Sequence, residues 1–296
     1  MIATLPLLRC PQCHGELELS TERAVCSTGH GYRVEGKTVN FLGATREKFH
    51  DQPFDHSAET SGIAFRTDNY LIPWLRRYFG EDISRLRVLE DGAGGGAQIE
   101  AYLKHGVDAH GIDPGPRSEL WSRTRASGRC HVADGTQLPF ADCTFDAVTS
   151  SGVLEHVGEP RTVPQMDPCQ SAYMREIVRV LRPGGVALVA HPNGANPVDF
   201  WHAERGSARL HRPYEKWMPD IYQVRRWVRS STIAAEVRFL SPHGYLSFER
   251  VRRYWYGRLL ATGMQRLFAA MEPVPFLART WINPWLVTEI RRVDGA

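Results

Sequence analysis

Four soft ligands stand near the start of the chain in two pairs: Cys10 and Cys13 with two residues between them, Cys26 and His30 with three. Twelve residues, a hairpin's length, separate the pairs. Two short knuckles joined by a hairpin bring four thiolate and imidazole ligands round one tetrahedral ion, so a structural Zn2+ is expected here. Gly15 and Gly29 stand where the chain must turn sharply beside each knuckle. Unrelated free thiols, or disulfides of a secreted protein, are the competing explanation, and the spacing favours zinc. Cys130, Cys143 and Cys169 are left over, an odd number with no evident pairing. That suits a reducing compartment. The opening "MIATLPLLRC" has too short an apolar patch for a signal-peptide core, and no cation precedes it. A cytoplasmic location is expected.

A second cluster is the glycine turn "VLEDGAGGGAQ", Val88 to Gln98. Gly92, Gly94 and Ala97 satisfy a dinucleotide-binding pattern, and Asp113 follows about twenty residues on, as a ribose-binding acid should. Glu90 and Asp91 argue against a dinucleotide. They stand immediately before the first glycine, where a pyrophosphate would approach, and like charges are costly once water is excluded. A ligand with a positive centre would be welcome there. S-adenosylmethionine carries a sulfonium and an ammonium, and the turn suits it better.

These residues need a scaffold. "LRVLE", "VDAHGID", "CHVAD", "FDAVTSS" and "VALVAHP" read as strands, with helical stretches "AQIEAYLKHG" and "MREIVRVLRPGG" among them. Strands alternating with helices imply a parallel sheet covered on both faces, with ligands at the carboxyl ends of its strands. Residues 46–70 are polar without a clear period and read as linker or lid, and "YLIPWLRRYFGE" as a helix interrupted by Pro73. The expected domains are 1–45 (zinc ribbon), 46–80 (linker and lid helix) and 81–296, with an insertion at 194–283.

From Val88 to His191 the chain resembles a class I S-adenosylmethionine-dependent methyltransferase. "VLEDGAGGG" stands for the family's acid-x-Gly-x-Gly-x-Gly turn, and "GID", "ADGTQLPFADCTFDAV", "LEHV" and "RVLRPGG" follow in family order. The resemblance implies a Rossmann-like α/β fold with a seven-stranded sheet whose last strand is antiparallel; "VRFLS" (237–241) and "PWLVTEIRRV" (284–293) are candidates for its final strands. It also implies roles. Gly92, Gly94 and Gly96 would let the backbone approach the methionine portion, with Glu90 helping to hold its amino end. Asp113 would take the ribose hydroxyls, Asp134 the adenine amino group, and the Gly135 N–H would lie near the ring. His156 and His191 fall at the catalytic rim as candidate bases, since histidine titrates near neutrality. Glu155 would orient a histidine or bind a substrate amine; His202 and His211 are weaker candidates.

The first forty-odd residues are similar to the ribbon of methyltransferases that modify guanine N1 in large-subunit ribosomal RNA. The catalytic half differs: where those enzymes usually carry an aromatic-Ala-Pro-Cys type sequence, this chain has "SSGVLEHVGEP". "LEHV" resembles small-molecule O- and N-methyltransferases, including quinone-precursor O-methyltransferases. In some of these a glutamate three residues before the Glu-His pair completes a divalent-metal site. Here that position is Gly152, so a catalytic magnesium is not expected.

Charge is uneven. Residues 1–200 hold 20 Lys and Arg against 25 Asp and Glu, residues 201–296 hold 16 against 8, and six of eight tryptophans lie in the latter part. The stretch around Phe200, Trp201, Tyr214 and Trp217 reads as a substrate lid, or equally as that segment's own core. From Ser247 an amphipathic helix is expected with Phe248, Val251, Trp255, Leu259, Leu267 and Met271 as one apolar stripe and Arg250, Arg252, Arg253, Arg258 and Arg266 largely off it. Such a helix can lie on a membrane surface or contact phosphates, but more often packs on its own domain. No apolar run is long enough to span a membrane. The leading expectation is methyl transfer to a hydroxyl, amine or carboxylate of a small biosynthetic molecule. The alternatives are a ribosomal RNA base methyltransferase, with nucleic acid as partner, and a ribbon protein that binds cofactor without turnover.

Overall fold

The computed structural model describes residues 5–43, 56–159, 163–202, 209–210, 218–252 and 254–293. Its centre is a seven-stranded sheet. The strands are β5 (Arg87–Asp91), β6 (Asp108–Ile112), β7 (Cys130–His131), β8 (Phe145–Ser151), β9 (Leu181–Pro192), β12 (Ala235–Leu240) and β13 (Trp285–Arg292), in the spatial order β12-β13-β9-β8-β5-β6-β7. β5 to β9 pair in parallel, while β13 runs antiparallel to both β9 and β12. Both expected final strands are present. Chain order reverses on either side of β5, which opens the crevice at its carboxyl end.

Successive strand residues enter opposite layers, as the pleat requires. Val88, Ala147 and Leu188 pack with Leu75, Ile99 and Tyr102 on one face. Leu89, Val148 and Val189 pack with Met174, Ile177 and Trp227 on the other. The covering helices are α1 (His56–Arg66), α2 (Ile72–Phe79), α3 (Ala97–Lys104), α4 (Val163–Val180) and α5 (Ile221–Arg229).

Before this sheet stands a four-stranded antiparallel one, β1 (Leu17–Leu19), β2 (Arg23–Cys26), β3 (Gly31–Glu35) and β4 (Thr38–Asn40). It is joined to the large sheet as tightly as a further strand would be. Asn40 bridges Val132 in parallel, just beyond β7, and the Phe41 and Val132 amides donate to Val132 and Val39 carbonyls at 2.8 and 3.0 Å. The Val39 amide donates to His131 Nδ1 at 3.0 Å; burial pushes that imidazole down to about 3, so it stays neutral and able to accept. Leu8, Val34 and Val39 belong to the same buried cluster as Leu89 and Val148.

Three expectations need correction. Residues 56–66, read as linker or lid, form α1, which continues through a π-turn at Thr67–Leu71 into α2. Polar composition hid a helix anchored by tertiary contacts: Thr67 and Leu71 are buried, and Arg66 donates to Ser151 Oγ and Gln98 Oε1 at 3.0 and 2.8 Å. Pro73 follows the π-turn directly, and the helix runs on past it to Phe79. The long helix from Ser247 is two, α6 (Glu249–Arg252) and α7 (Trp255–Met271), with extended backbone at Tyr254 between them. That break re-phases the apolar stripe. Phe248, Leu267 and Met271 pack round Phe268, whereas Trp255 and Leu259 are 75% and 69% exposed. No helix among the described residues is long and apolar enough to cross a membrane.

Candidate functional site

At the carboxyl end of β5 the chain turns through Gly92, Gly94 and Gly96, all with positive φ (92°, 49° and 89°). Side chains are rarely tolerated in that backbone region. At Gly92 space alone also forbids one, since a Cβ would meet Val153 Cγ2 at 2.2 Å. The turn is pinned to the end of β6: the Gly92 and Ala93 amides donate to the Ile112 carbonyl at 3.0 and 2.9 Å. Asp113 follows directly and accepts from the Gly94 and Gly115 amides at 2.8 and 2.6 Å. It stands at the strand end beside the glycines, as the sequence implies.

Glu90 and Asp91 diverge, because neighbours in a strand face opposite sides. Glu90 is buried and turned toward β8, where the Thr149 hydroxyl donates to it. Burial pushes its carboxyl up to about 7, against the opposing effects of Arg66 and Thr149. Asp91, 1% exposed, faces Gly135 instead; a Cβ on that glycine would meet Tyr173 Cε2 at 2.4 Å and Asp91 Oδ2 at 2.7 Å. Oδ2 of Asp91 has no hydrogen-bond partner among the described residues. Burial raises the Asp91 carboxyl well above its ordinary range, and the charges of Asp134, Asp113 and Glu90 raise it further. Asp134 accepts from the Thr136 amide at 2.8 Å, which shapes the loop that presents Gly135. The sequence reading used Asp91 only as a charge beside the turn; its burial, dictated by strand alternation, was the missed signal.

The Glu90 shift has a thermodynamic sign. Between an unfolded carboxyl value near 4.5 and the folded value of about 7, the folded state holds a proton that the unfolded state has released. Stability must therefore fall as pH rises through that window, by about 1.4 kcal/mol per unit. Glu90→Gln is expected to remove this slope, gaining more stability at pH 8 than at pH 5. Urea unfolding at the two pH values measures it, and equal gains would contradict the buried-carboxylate account.

β8 ends in a short 3-10 turn, Leu154–His156. Glu155 is 2% exposed, whereas the His156 side chain is 31% exposed and its Nδ1 lies 3.2 Å from Glu159 Oε2. Burial alone would lower the His156 pKa, but Glu159 and Glu155 outweigh it and the net direction is up. His202, from the segment after β9, brings its ring to 5.3 Å from that of His156. His191 is placed differently. It ends β9 opposite Leu286, is 0% exposed, and burial pushes its imidazole down to about 4. It lies beneath the rim as a neutral ring, and the structure does not bring it together with His156.

Of the aromatic lid expectation, Trp201 packs on Trp285 of β13 with ring centroids 4.6 Å apart, and so belongs to the core. Tyr214, Trp217 and His211 lie outside the described residues. The segment's start is laced to its far end: Asn193 donates to the Thr280 and Asn283 carbonyls, and Asn196 to that of Trp281. A two-stranded ribbon, β10 (Val198–Asp199) with β11 (Arg209–Leu210), leads to and from the His202 region.

The N-terminal ligand atoms converge as the spacing requires. Cys13 and Cys26 Sγ are 3.7 Å apart, and His30 Nδ1 lies 3.4 and 3.5 Å from Cys10 and Cys26 Sγ. Those separations match the edges, about 3.8 Å, of a tetrahedron of sulfur ligands round zinc. The Tyr32 hydroxyl is 3.0 Å from Cys10 Sγ, and hydrogen bonding from Thr28 holds the Cys26 thiol down to about 6.

Comparison with known proteins agrees with this geometry. The methyltransferase-domain family matches residues 89–189. An uncharacterised methyltransferase of Mycolicibacterium gilvum is 32% identical over 222 residues, covering 68% of this chain and 82% of that protein. Another, from Mycobacterium sp. (strain JLS), is 34% identical over 151 residues; the match spans 46% of this chain and only 56% of the relative's length. Demethylmenaquinone methyltransferase of Renibacterium salmoninarum is 36% identical over 110 residues, 36% of this chain and 42% of that one. With its glycine turn, acidic strand ends and mixed seven-stranded sheet, the chain belongs to the class I S-adenosylmethionine-dependent methyltransferases.

Proposed function

We propose that the protein transfers the methyl group of S-adenosylmethionine to a hydroxyl, amine or carboxylate of a small molecule seated at the rim formed by Glu155 and His156. The observation that carries the cofactor assignment is the crowd of carboxylates round the glycine turn. The charges of Asp134, Asp113 and Glu90 add to burial in raising the cost of ionising Asp91. A cofactor with a sulfonium and an ammonium offsets that cost, and a pyrophosphate would compound it. In this reading Asp113 takes the ribose, the Asp134–Gly135 loop the adenine, and the glycines admit the methionine portion. S-adenosylmethionine supplies the activated methyl; the chain holds it in line with the acceptor, which by itself accounts for much of such a rate.

The small-molecule reading rests on the acceptor side. Among the described residues the rim is a buried glutamate beside two histidines, rather than a cationic track with stacked aromatics as a nucleic-acid channel would need. His156→Ala is expected to lower turnover about a hundredfold while affinity for S-adenosylhomocysteine stays within a few-fold. Calorimetry and methyl-release assays separate the two quantities. Methyl transfer to ribosomal RNA, abolished by Arg252→Ala with Arg253→Ala, would defeat this reading in favour of a nucleic-acid substrate.

At the N-terminus the reading is a structural zinc on Cys10, Cys13, Cys26 and His30. All four positions of a tetrahedron are then filled by protein, which leaves none for substrate. None of the six cysteines is in a disulfide, which fits a reducing, cytoplasmic setting.

A further inference from the structure

We propose that Glu155, His156 and His202 form a second metal site, for a divalent transition cation that holds an oxygen ligand of the acceptor. The proposal deepens the small-molecule reading above and rests on it for the identity of that ligand, though not for the cation. One ligand atom from each residue lies within 4.8 Å of the others. The three come from two distant parts of the chain, the turn after β8 and the segment after β10, so the fold and not local spacing brings them together.

Each ring is oriented by a neighbouring carboxylate. His156 Nδ1 faces Glu159 Oε2 at 3.2 Å, and His202 Nδ1 faces both Asp199 carboxylate oxygens at 3.2 Å. An imidazole beside a carboxylate donates its Nδ1–H, which puts the basic lone pair on Nε2; metal-binding histidines are oriented in the same way. Asp199 is itself built in. Its side chain is wholly buried, and its Oδ1 also accepts from the Trp201 and His202 amides at 2.9 and 3.0 Å.

The third observation is Glu155. It is 98% buried by its 2% exposure, and Oε2 has no hydrogen-bond partner among the described residues. Such a carboxylate is expensive unless a cation meets it. No arginine or lysine among the described residues pairs with it, and the two imidazoles stand beside it.

Two imidazoles and one carboxylate favour zinc, manganese, cobalt or iron over magnesium or calcium, which prefer oxygen throughout. Three protein ligands leave at least one coordination position for an outside oxygen. Val153, which caps the same turn, lies against Gly92, so the turn that carries Glu155 and His156 adjoins the glycine turn. An acceptor with two adjacent oxygens, such as a catechol or a hydroxy acid, suits the open position. Gly152 offers no ligand, and the third one, His202, arrives from the insertion.

The test uses the full chain, first given one equivalent of zinc for the cysteine cluster and then titrated with Co2+. A further equivalent is expected to give visible d–d bands without thiolate-to-cobalt charge transfer. His202→Ala and Glu155→Gln should each weaken that binding about a hundredfold, and Asp199→Asn about tenfold. Catechol added to the cobalt-loaded protein should shift the bands. Cobalt bound only through thiolates, binding indifferent to His202 and Glu155, or bands unmoved by catechol would overturn the proposal. S-adenosylhomocysteine binding, measured in parallel on the same variants, reports retained folding and keeps the two readings apart. Cofactor binding without a second cobalt sinks the metal site alone; cobalt binding without cofactor sinks the methyltransferase reading.

Discussion

On the structural-zinc proposal, removing the ion from Cys10, Cys13, Cys26 and His30, or replacing Cys26 with serine, is expected to destabilise the large sheet as well as the N-terminal one. Zinc binding by a small module is folding free energy, about 10–16 kcal/mol in isolated zinc-finger peptides. Only part of that would be lost here, because packing already supports the module: Leu8, Val34 and Val39 share a buried cluster with Leu89 and Val148. A loss of several kcal/mol corresponds to about 10 °C or more in Tm for a domain of this size. The readout is clean, because every tryptophan lies outside residues 1–45, and Trp74, Trp121, Trp227 and Trp285 are buried in the cores against the large sheet. The tryptophan-detected transition should move down together with loss of β signal, as one event. If zinc is stripped and the tryptophan transition stays in place, the two sheets are energetically separate and the account of a shared core fails.

The second large effect is expected at Asp113. This carboxylate accepts from the amides of Gly94 and Gly115, so it both holds the turn and faces the crevice. Asp113→Ala deletes a charged acceptor, which costs about 1–3 kcal/mol in each role. Affinity for S-adenosylhomocysteine should fall about tenfold to a hundredfold, and thermal stability without ligand should fall as well. Asp113→Asn preserves shape and should lose less on both counts. NAD should bind feebly to every form. A variant that binds as the parent does, or a parent that binds NAD equally, would remove the ribose assignment.

What the sequence disclosed follows from how local each signal is. The runs around Val88, Val148 and Val189 are short and apolar, and glycines or an acid end them, so strand, turn and Asp113 could be read in place. The convergence of Cys10, Cys13, Cys26 and His30 was equally legible because it is carried by spacing within one hairpin. The pair Glu90 and Asp91 was legible as charge but not as direction. In the fold one faces Thr149 and the other Gly135, with different partners and different consequences. Arg66 lies in a stretch whose composition suggested a linker, and nothing nearby in sequence hints that it reaches Ser151 and Gln98. His202 meets His156 only because the chain returns through β9, and His191, at a strand end that promised the rim, is buried by β13 instead. The break before Trp255 was hidden by an apolar period that runs on through it.

The seam between the two sheets also sets an order of events during synthesis. Val39 and its partner His131 are 92 residues apart. At about 5–20 residues per second, the N-terminal module waits roughly 5 to 20 s after emerging from the ribosome before the strand that will receive it exists. Through that interval Leu8, Val34 and Val39 lack their final cover. The proposed zinc ion would hold the module in shape for that long. The first forty residues are then a finished part, and the chain builds the rest of the sheet up to it.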